Sequence, residues 1–257
     1  MARHAGQPAH RAPLAARAWQ TGQSRPFGYA NADALWRGSE PPAQRPTDEA
    51  AAQLDSLLRR KDDLQKLLHS EKNRLDQALR QPKTPKAVCE SIQRTLDALA
   101  QELATIEAAI QQLFCDHVAL ARQLKQLKSV PAIGQKSAPY LLALFHRFAA
   151  KTNDTGTAKQ LVAFVGLDPQ PFESGSSLRQ RPTISKQGDA PMRSRLFLCA
   201  LGGVRGKNRL KDIYTALTAR GKAKKLALVA CARKALVWAW AVFTQDTTFD
   251  PALAAKL

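Results

Sequence analysis

The stretch from Gly166 to Asp189, GLDPQPFESGSSLRQRPTISKQGD, sets Ser174 directly before a glycine and upstream of Arg179, Arg181 and Lys186. Gly175 permits a sharp turn and the close approach of a large substrate. The three cations could neutralise phosphate oxygens as charge develops on them. The chemistry that suits this set is attack by a serine hydroxyl on a phosphodiester. Ser-Gly-Ser-Ser is also ordinary loop composition, and Ser176 and Ser177 offer alternative hydroxyls a few atoms away.

The surroundings of that loop are strongly basic. Of a formal net charge of +18 over 257 residues, residues 1–47 contribute six Arg against two acids, residues 48–128 thirteen bases against twelve acids, and residues 129–257 twenty against seven. A field of that sign concentrates polyanions, and nucleic acid is the usual one. The four cysteines, Cys89, Cys115, Cys199 and Cys231, lie far apart without metal-ligand spacing and read as buried free thiols. No metal site is expected from them. No apolar run reads as long enough to span a bilayer and no secretory segment is evident, so no membrane partner is expected and the expected location is cytoplasmic.

Several elements must position the loop. Residues 1–47 read as a disordered basic arm and linker closed by Pro41, Pro42 and Pro46, and helical order should begin near Thr47-Asp48-Glu49. Leu54, Leu57, Leu58, Leu64, Leu68, Leu75 and Leu79 mark one helix face, and Pro82 and Pro85 turn the chain. From Ile92 to Leu127 apolar residues then alternate steps of four and three, with His117 the one polar member, expected to set register in the core. Residues 48–128 are therefore expected to form an antiparallel coiled-coil hairpin that self-associates into a homo-oligomer. After it, Val130-Pro-Ala-Ile-Gly134 should be the turn of a helix-hairpin-helix-like element, with a helix starting near Gln135. Gly134 and Lys136 there would meet a phosphate backbone; the alternative is a plain helical corner whose glycine only permits the turn. Helices follow at 158–165, 192–201, 209–217 and 223–243. Trp238 and Trp240 are expected in the core, and 246–257 as a tail. The fold class is all-α, with residues 129–245 as a small helical DNA-binding domain.

Taken in order, several of these segments resemble insertion-sequence transposases of the Piv/MooV DNA-invertase type, the IS-one-ten family. The matching text is Glu71-Lys-Asn-Arg-Leu75, Val130-Pro-Ala-Ile-Gly134 with Ala138, and Lys159-Gln-Leu-Val-Ala-Phe-Val-Gly-Leu-Asp-Pro169. It continues through Ser174-Gly175, Ile184-Ser-Lys-Gln-Gly188 with Arg193, Arg195 and Leu196, and Gly221-Lys222 with Ala227-Leu-Val-Ala230, Arg233 and Lys234. The resemblance implies an RNA-guided recombinase in which an acidic, Mg²⁺-binding RuvC-like domain is joined through a coiled coil to a helical domain supplying a nucleophilic serine, here Ser174. The residues expected to contact nucleic acid are Gly134, Lys136, Arg179, Arg181, Lys186, Arg193, Lys222 and Arg233. Fewer than fifty residues precede the helical hairpin, and Asp33 and Glu40 sit in Pro-rich polar sequence. The chain therefore reads as a truncated recombinase subunit with no cofactor of its own, Mg²⁺ arriving only with the acidic domain of a full-length relative. DNA is the expected partner, with a guide RNA and a nucleoid-associated location implied by the family. The rival reading is a non-catalytic dimeric nucleic-acid-binding protein that modulates such a relative.

Overall fold

The computed structural model describes residues 48–174 and 178–252, with residues 171–182 described by their backbone alone. Among them are eight helices and one two-stranded antiparallel sheet, so the fold is mostly helical as expected. Helix α1 (Glu49–Arg80) runs for 32 residues, about 48 Å at 1.5 Å per residue. Asp48 stands at its N-cap without a side-chain capping bond, and Glu49 meets the positive end of the helix dipole. The turn at Pro82 and Pro85 leads into α2 (Lys86–Asp116), which returns along α1, and the Lys61 to Glu107 ion pair at 2.7 Å fixes their register.

Burial along this hairpin is uneven. At its base Ala50, Leu54 and Leu58 pack with Ile110, Leu113 and Phe114 in the main core. Farther along, only Leu64, Ala78 and Leu96 are buried, while Leu67, Leu79 and Val88 are 49%, 66% and 43% exposed.

The seam expected to continue through His117 stops there. His117 is exposed, adopts φ −117° and ψ 87°, and separates α2 from α3 (Val118–Leu127). The reason is the length of α1. Counting back from Lys61 and forward from Glu107, the start of α1 lies level with the end of α2, so a straight continuation would have no partner helix. The break turns Leu120 and Leu127 into the domain core instead, where α3 meets α4 and α8.

From α3 the chain enters the small domain. Helix α4 (Ala138–Lys151) buries Leu141, Leu142, Ala143, Leu144, Phe145 and Phe148, and α8 (Lys224–Gln245) is the other core helix. Phe145 meets Trp240 edge-on at 5.4 Å, and Trp238 is 1% exposed, so both tryptophans lie in the core as expected. By length and composition α8 could cross a bilayer, which the sequence reading did not anticipate, but here it packs against α3, α5, α6 and α7 as the centre of the domain. Between α4 and α8 come α5 (Ala158–Val165), strands β1 (Pro169–Ser174) and β2 (Leu178–Ile184), α6 (Ala190–Gly203) and α7 (Arg209–Ala219). The first residues of the expected tail are engaged: Gln126 donates to the Asp246 carbonyl at 2.9 Å and Phe249 packs on Trp238 at 5.2 Å. Of the thiols only Cys231 is buried, its pKa pushed up to about 11 by burial, and Cys115 is exposed.

The Ser174 hairpin and the basic grooves

The residues around Ser174 form a β-hairpin where a loop was expected. Its entrance is built by α5, whose N-terminus carries a capping box: the Gln160 N–H donates to Thr157 Oγ1 at 3.3 Å and the Thr157 N–H to Gln160 Oε1 at 2.8 Å. The helix ends at Gly166 in the left-handed conformation, φ 77°. At this point the chain crosses its own return path. A Cβ at Gly166 would lie 2.0 Å from the Gln187 carbonyl oxygen, and one at Gly188 (φ 102°) would lie 2.1 Å from that of Phe164. Only glycine allows both the handedness and the contact at these two positions.

Above the crossing, Ser185 donates through its backbone to the Asp168 carbonyl at 2.9 Å and through its hydroxyl to the Asp168 carboxylate. The ladder then pairs Pro169 with Ile184 and Gln170 with Thr183, shifts register between Gln170 and Phe172, and ends with Glu173 opposite Arg179 and Ser174 opposite Leu178. Ser174 is therefore the last paired residue of β1, and Arg179 occupies the preceding rung. Gly175, Ser176 and Ser177, and the side chains of Ser174, Arg179 and Arg181, lie outside what the structure describes. The alternation of Phe172, Leu178 and Ile184 with polar residues could have signalled a strand pair; Pro171 and Pro182 masked it.

The other expected contact residues fall into separate places. Lys186 is exposed at the return of the hairpin with φ 56°, its N–H bonded to the Gly166 carbonyl at 3.2 Å. Arg193 is half-buried and donates to the Val165 carbonyl at 2.9 Å, so it ties α6 to the end of α5 and helps to hold the hairpin. Gly134 and Lys136 line a groove of about 870 Å³ with Lys128, Arg195 and the glycines at the end of α6. The residue in left-handed conformation in this turn is Ala132 (φ 78°), not Gly134, and α4 begins at Ala138, later than expected. Lys222 is exposed after Gly221 (φ 76°), and Arg233 is exposed on α8 beside a second groove that reaches Pro169 and Ile184 at the base of the hairpin.

A charged network that sequence reading passed over joins the helical hairpin to the domain. Tyr140 donates to Asp62 at 2.6 Å, Arg195 pairs with the same carboxylate, and its guanidinium lies 3.5 Å from the centre of the Tyr140 ring. Burial, then the bond to Asp62, raises the Tyr140 pKa above the ordinary tyrosine range. Two turns away Arg147 bridges Asp55 at 3.6 Å and Asp189 at 2.9 Å, while Asp189 also caps α6 through the Met192 N–H at 2.9 Å. The signal was present: Asp55 and Asp62 are seven residues apart on one face of α1.

This cleft also answers whether the described residues could hold the Mg²⁺ that the family resemblance implies. Among them no group of three or more His, Cys, Asp or Glu side chains stands close enough to bind a metal ion. The carboxylates of this cleft, Asp55, Asp62 and Asp189, are engaged by Arg147, Arg195 and Tyr140. The donor set does not fit.

Comparison with known proteins adds three findings. Residues 124–215 match a family model described as Transposase IS116/IS110/IS902 family. The chain is 26% identical over 211 residues to the "Pilin gene-inverting protein" of Moraxella lacunata, and equally to that of Moraxella bovis. The match covers 82% of this chain and 62% of each relative, so the chain spans less than two thirds of their length.

Proposed function

We propose that this chain, whose residues 124–215 are a domain of the IS116/IS110/IS902 transposase family, is a subunit for DNA transposition or site-specific DNA recombination that binds DNA through its basic domain and delivers Ser174 to a phosphodiester. What carries the reading is the placement of Ser174 at the far end of a hairpin whose base is fixed by the Gly166 and Gly188 crossing. In the proposed step the Ser174 oxygen bonds to phosphorus and one bridging P–O bond breaks. The departing deoxyribose oxygen takes up the proton that serine loses, so phosphodiester bonds are conserved in number. A serine hydroxyl needs activation for this, and the described residues offer no acid set for it. The activating groups are proposed to come from a full-length relative in a mixed oligomer, so that the chain alone is inactive. A second copy of the chain, and a guide RNA, are proposed partners, in the bacterial cytoplasm at the nucleoid.

The test is a mixture of this chain with a full-length relative and a DNA carrying that relative's recombination site, resolved on a denaturing gel. A covalent adduct of this chain's mass is expected with the wild-type sequence, and none with Ser174→Ala. An adduct that survives the substitution moves the nucleophile to another hydroxyl, Ser176 first. No adduct from this chain in a mixture where the relative recombines DNA would favour the non-catalytic modulator instead.

A further inference from the structure

The second groove offers more than an exposed arginine. Leu226, Val229 and Val237 of α8, Ile213 of α7 and Ile184 of β2 form an aliphatic floor in a space of about 980 Å³. Lys225, Arg233 and Lys234 line the same space. Arg209, at the start of α7, stands near enough to act on Lys234: burial, then Arg209 and Arg233, lower the lysine's pKa. Among the described residues the ion pairs engage none of these four cations, and Asp212, one turn from Arg209, makes none either. Arg147 and Arg195, by contrast, are spent on structure. Here like charges are gathered around a partly dry surface with no carboxylate among its described lining residues, which disfavours the fold unless an anion arrives.

We propose that this groove holds the sugar–phosphate backbone of the DNA that runs along the Ser174 hairpin, with Arg209, Arg233 and Lys234 on its phosphates and the aliphatic floor beneath its sugars. The inference rests on the DNA-recombining reading above and adds where the flank of the substrate is held. Charge complementarity selects a nucleic acid as the occupant, since a phosphodiester strand presents a negative charge at every nucleotide along a cationic rim. Among the described residues the lining contains no aromatic ring, which favours a grip on the backbone that is indifferent to sequence. From Pro169 at the groove to Ser174 is five residue steps, about 17 Å at 3.3 Å per residue. At about 3.4 Å of helix axis per nucleotide, the clamped phosphates lie roughly five nucleotides from the attacked one if the duplex axis follows the hairpin.

The test is fluorescence anisotropy of the full chain with a random-sequence duplex of thirty base pairs, repeated over a range of salt. Arg209→Gln, Arg233→Gln and Lys234→Gln are each expected to reduce the slope of log K against log salt by about one. Leu226→Glu, at a half-exposed position, is expected to weaken binding severalfold without unfolding the chain. Lys234→Gln should leave the melting temperature equal or higher, because it removes a repelled charge, a combination of firmer fold and weaker binding that a structural role does not produce. Unchanged slopes in the groove variants, with a reduced slope in Lys136→Gln, would overturn this inference and leave the DNA reading intact. Unchanged slopes in all of them would remove the DNA reading as well. Unchanged DNA binding with an altered sedimentation mass would make the groove a protein-docking face and overturn the proposal.

Discussion

The helical hairpin and the domain that follows it use charge in opposite ways. Along α1 and α2 bases and acids pair within the hairpin: Arg59 with Asp55, Lys66 with Asp63, Arg74 with Glu71, Lys61 with Glu107. In the domain after residue 128 acids are scarce, and those that pair do so where the structure must be held, as Asp189 does with Arg147. Exposed pairs on a helix contribute little to stability, about 0.3–0.5 kcal/mol each, so the hairpin's balance has a different consequence: it leaves no field to draw a polyanion. Its exposed apolar tip suits a protein partner. The domain, with its uncompensated cations around two grooves, suits DNA.

The largest effect is expected where the two regions differ most in tolerance. Gly166→Ala or Gly188→Ala should lower stability by about 3 kcal/mol or more and collapse the Ser174 hairpin, because each adds a Cβ at 2.0–2.1 Å from a carbonyl oxygen at positive φ. Thermal melts and loss of DNA-adduct formation would report it. A glycine scan that left both unchanged would mean that the hairpin is not fixed at its base. Next, Asp62→Ala removes the carboxylate shared by Arg195 and Tyr140 and should cost about 1–2 kcal/mol, discounted because the pair is partly exposed. Its particular signature is a hairpin that unfolds ahead of the domain, seen as faster hydrogen exchange in α1 than in α8.

The tip of the hairpin sharpens the contrast from the other side. Leu67→Asp with Leu79→Asp should convert an oligomer to a monomer by sedimentation with little loss of helix, since both side chains are exposed within the subunit. A wild-type chain that is already monomeric at micromolar concentration would remove self-association from the account. The smallest effect is at the turn beside the first groove. Ala132→Gly relieves a left-handed alanine and should stabilise the domain by about 0.5–1 kcal/mol, read as a small rise in the midpoint of urea unfolding.

The sequence made the long helices legible because period is a local property. Leu54, Leu58 and Leu64 announce the face of α1, and the paired prolines at 82 and 85 announce the turn. What it hid was tertiary. The repeat through His117 is unbroken as text, yet α1 ends opposite that residue, and only packing shows that the seam has lost its partner. The β-hairpin was concealed by Pro171 and Pro182, which argue locally against strands, and its register shift blurs the alternation. Arg193, grouped in the sequence with DNA contacts, is half-buried and bonded to a backbone carbonyl, an identity of role that residue type does not encode. The contact residues of the two grooves come from segments up to about a hundred residues apart in the case of Lys136 and Arg233, so no linear motif unites them.

The division of labour between the two regions is tested most directly by charge reversal in each. The full chain is titrated against the same duplex at fixed salt as Arg179→Glu/Arg181→Glu and as Lys72→Glu/Lys83→Glu. The second pair lies on α1 and in the turn after it; Lys61 and Lys66 would be poorer controls because both are ion-paired. An affinity loss of about tenfold or more is expected for the domain pair and of less than about twofold for the hairpin pair. Equal losses, or a greater loss for the hairpin pair, would contradict that division of labour.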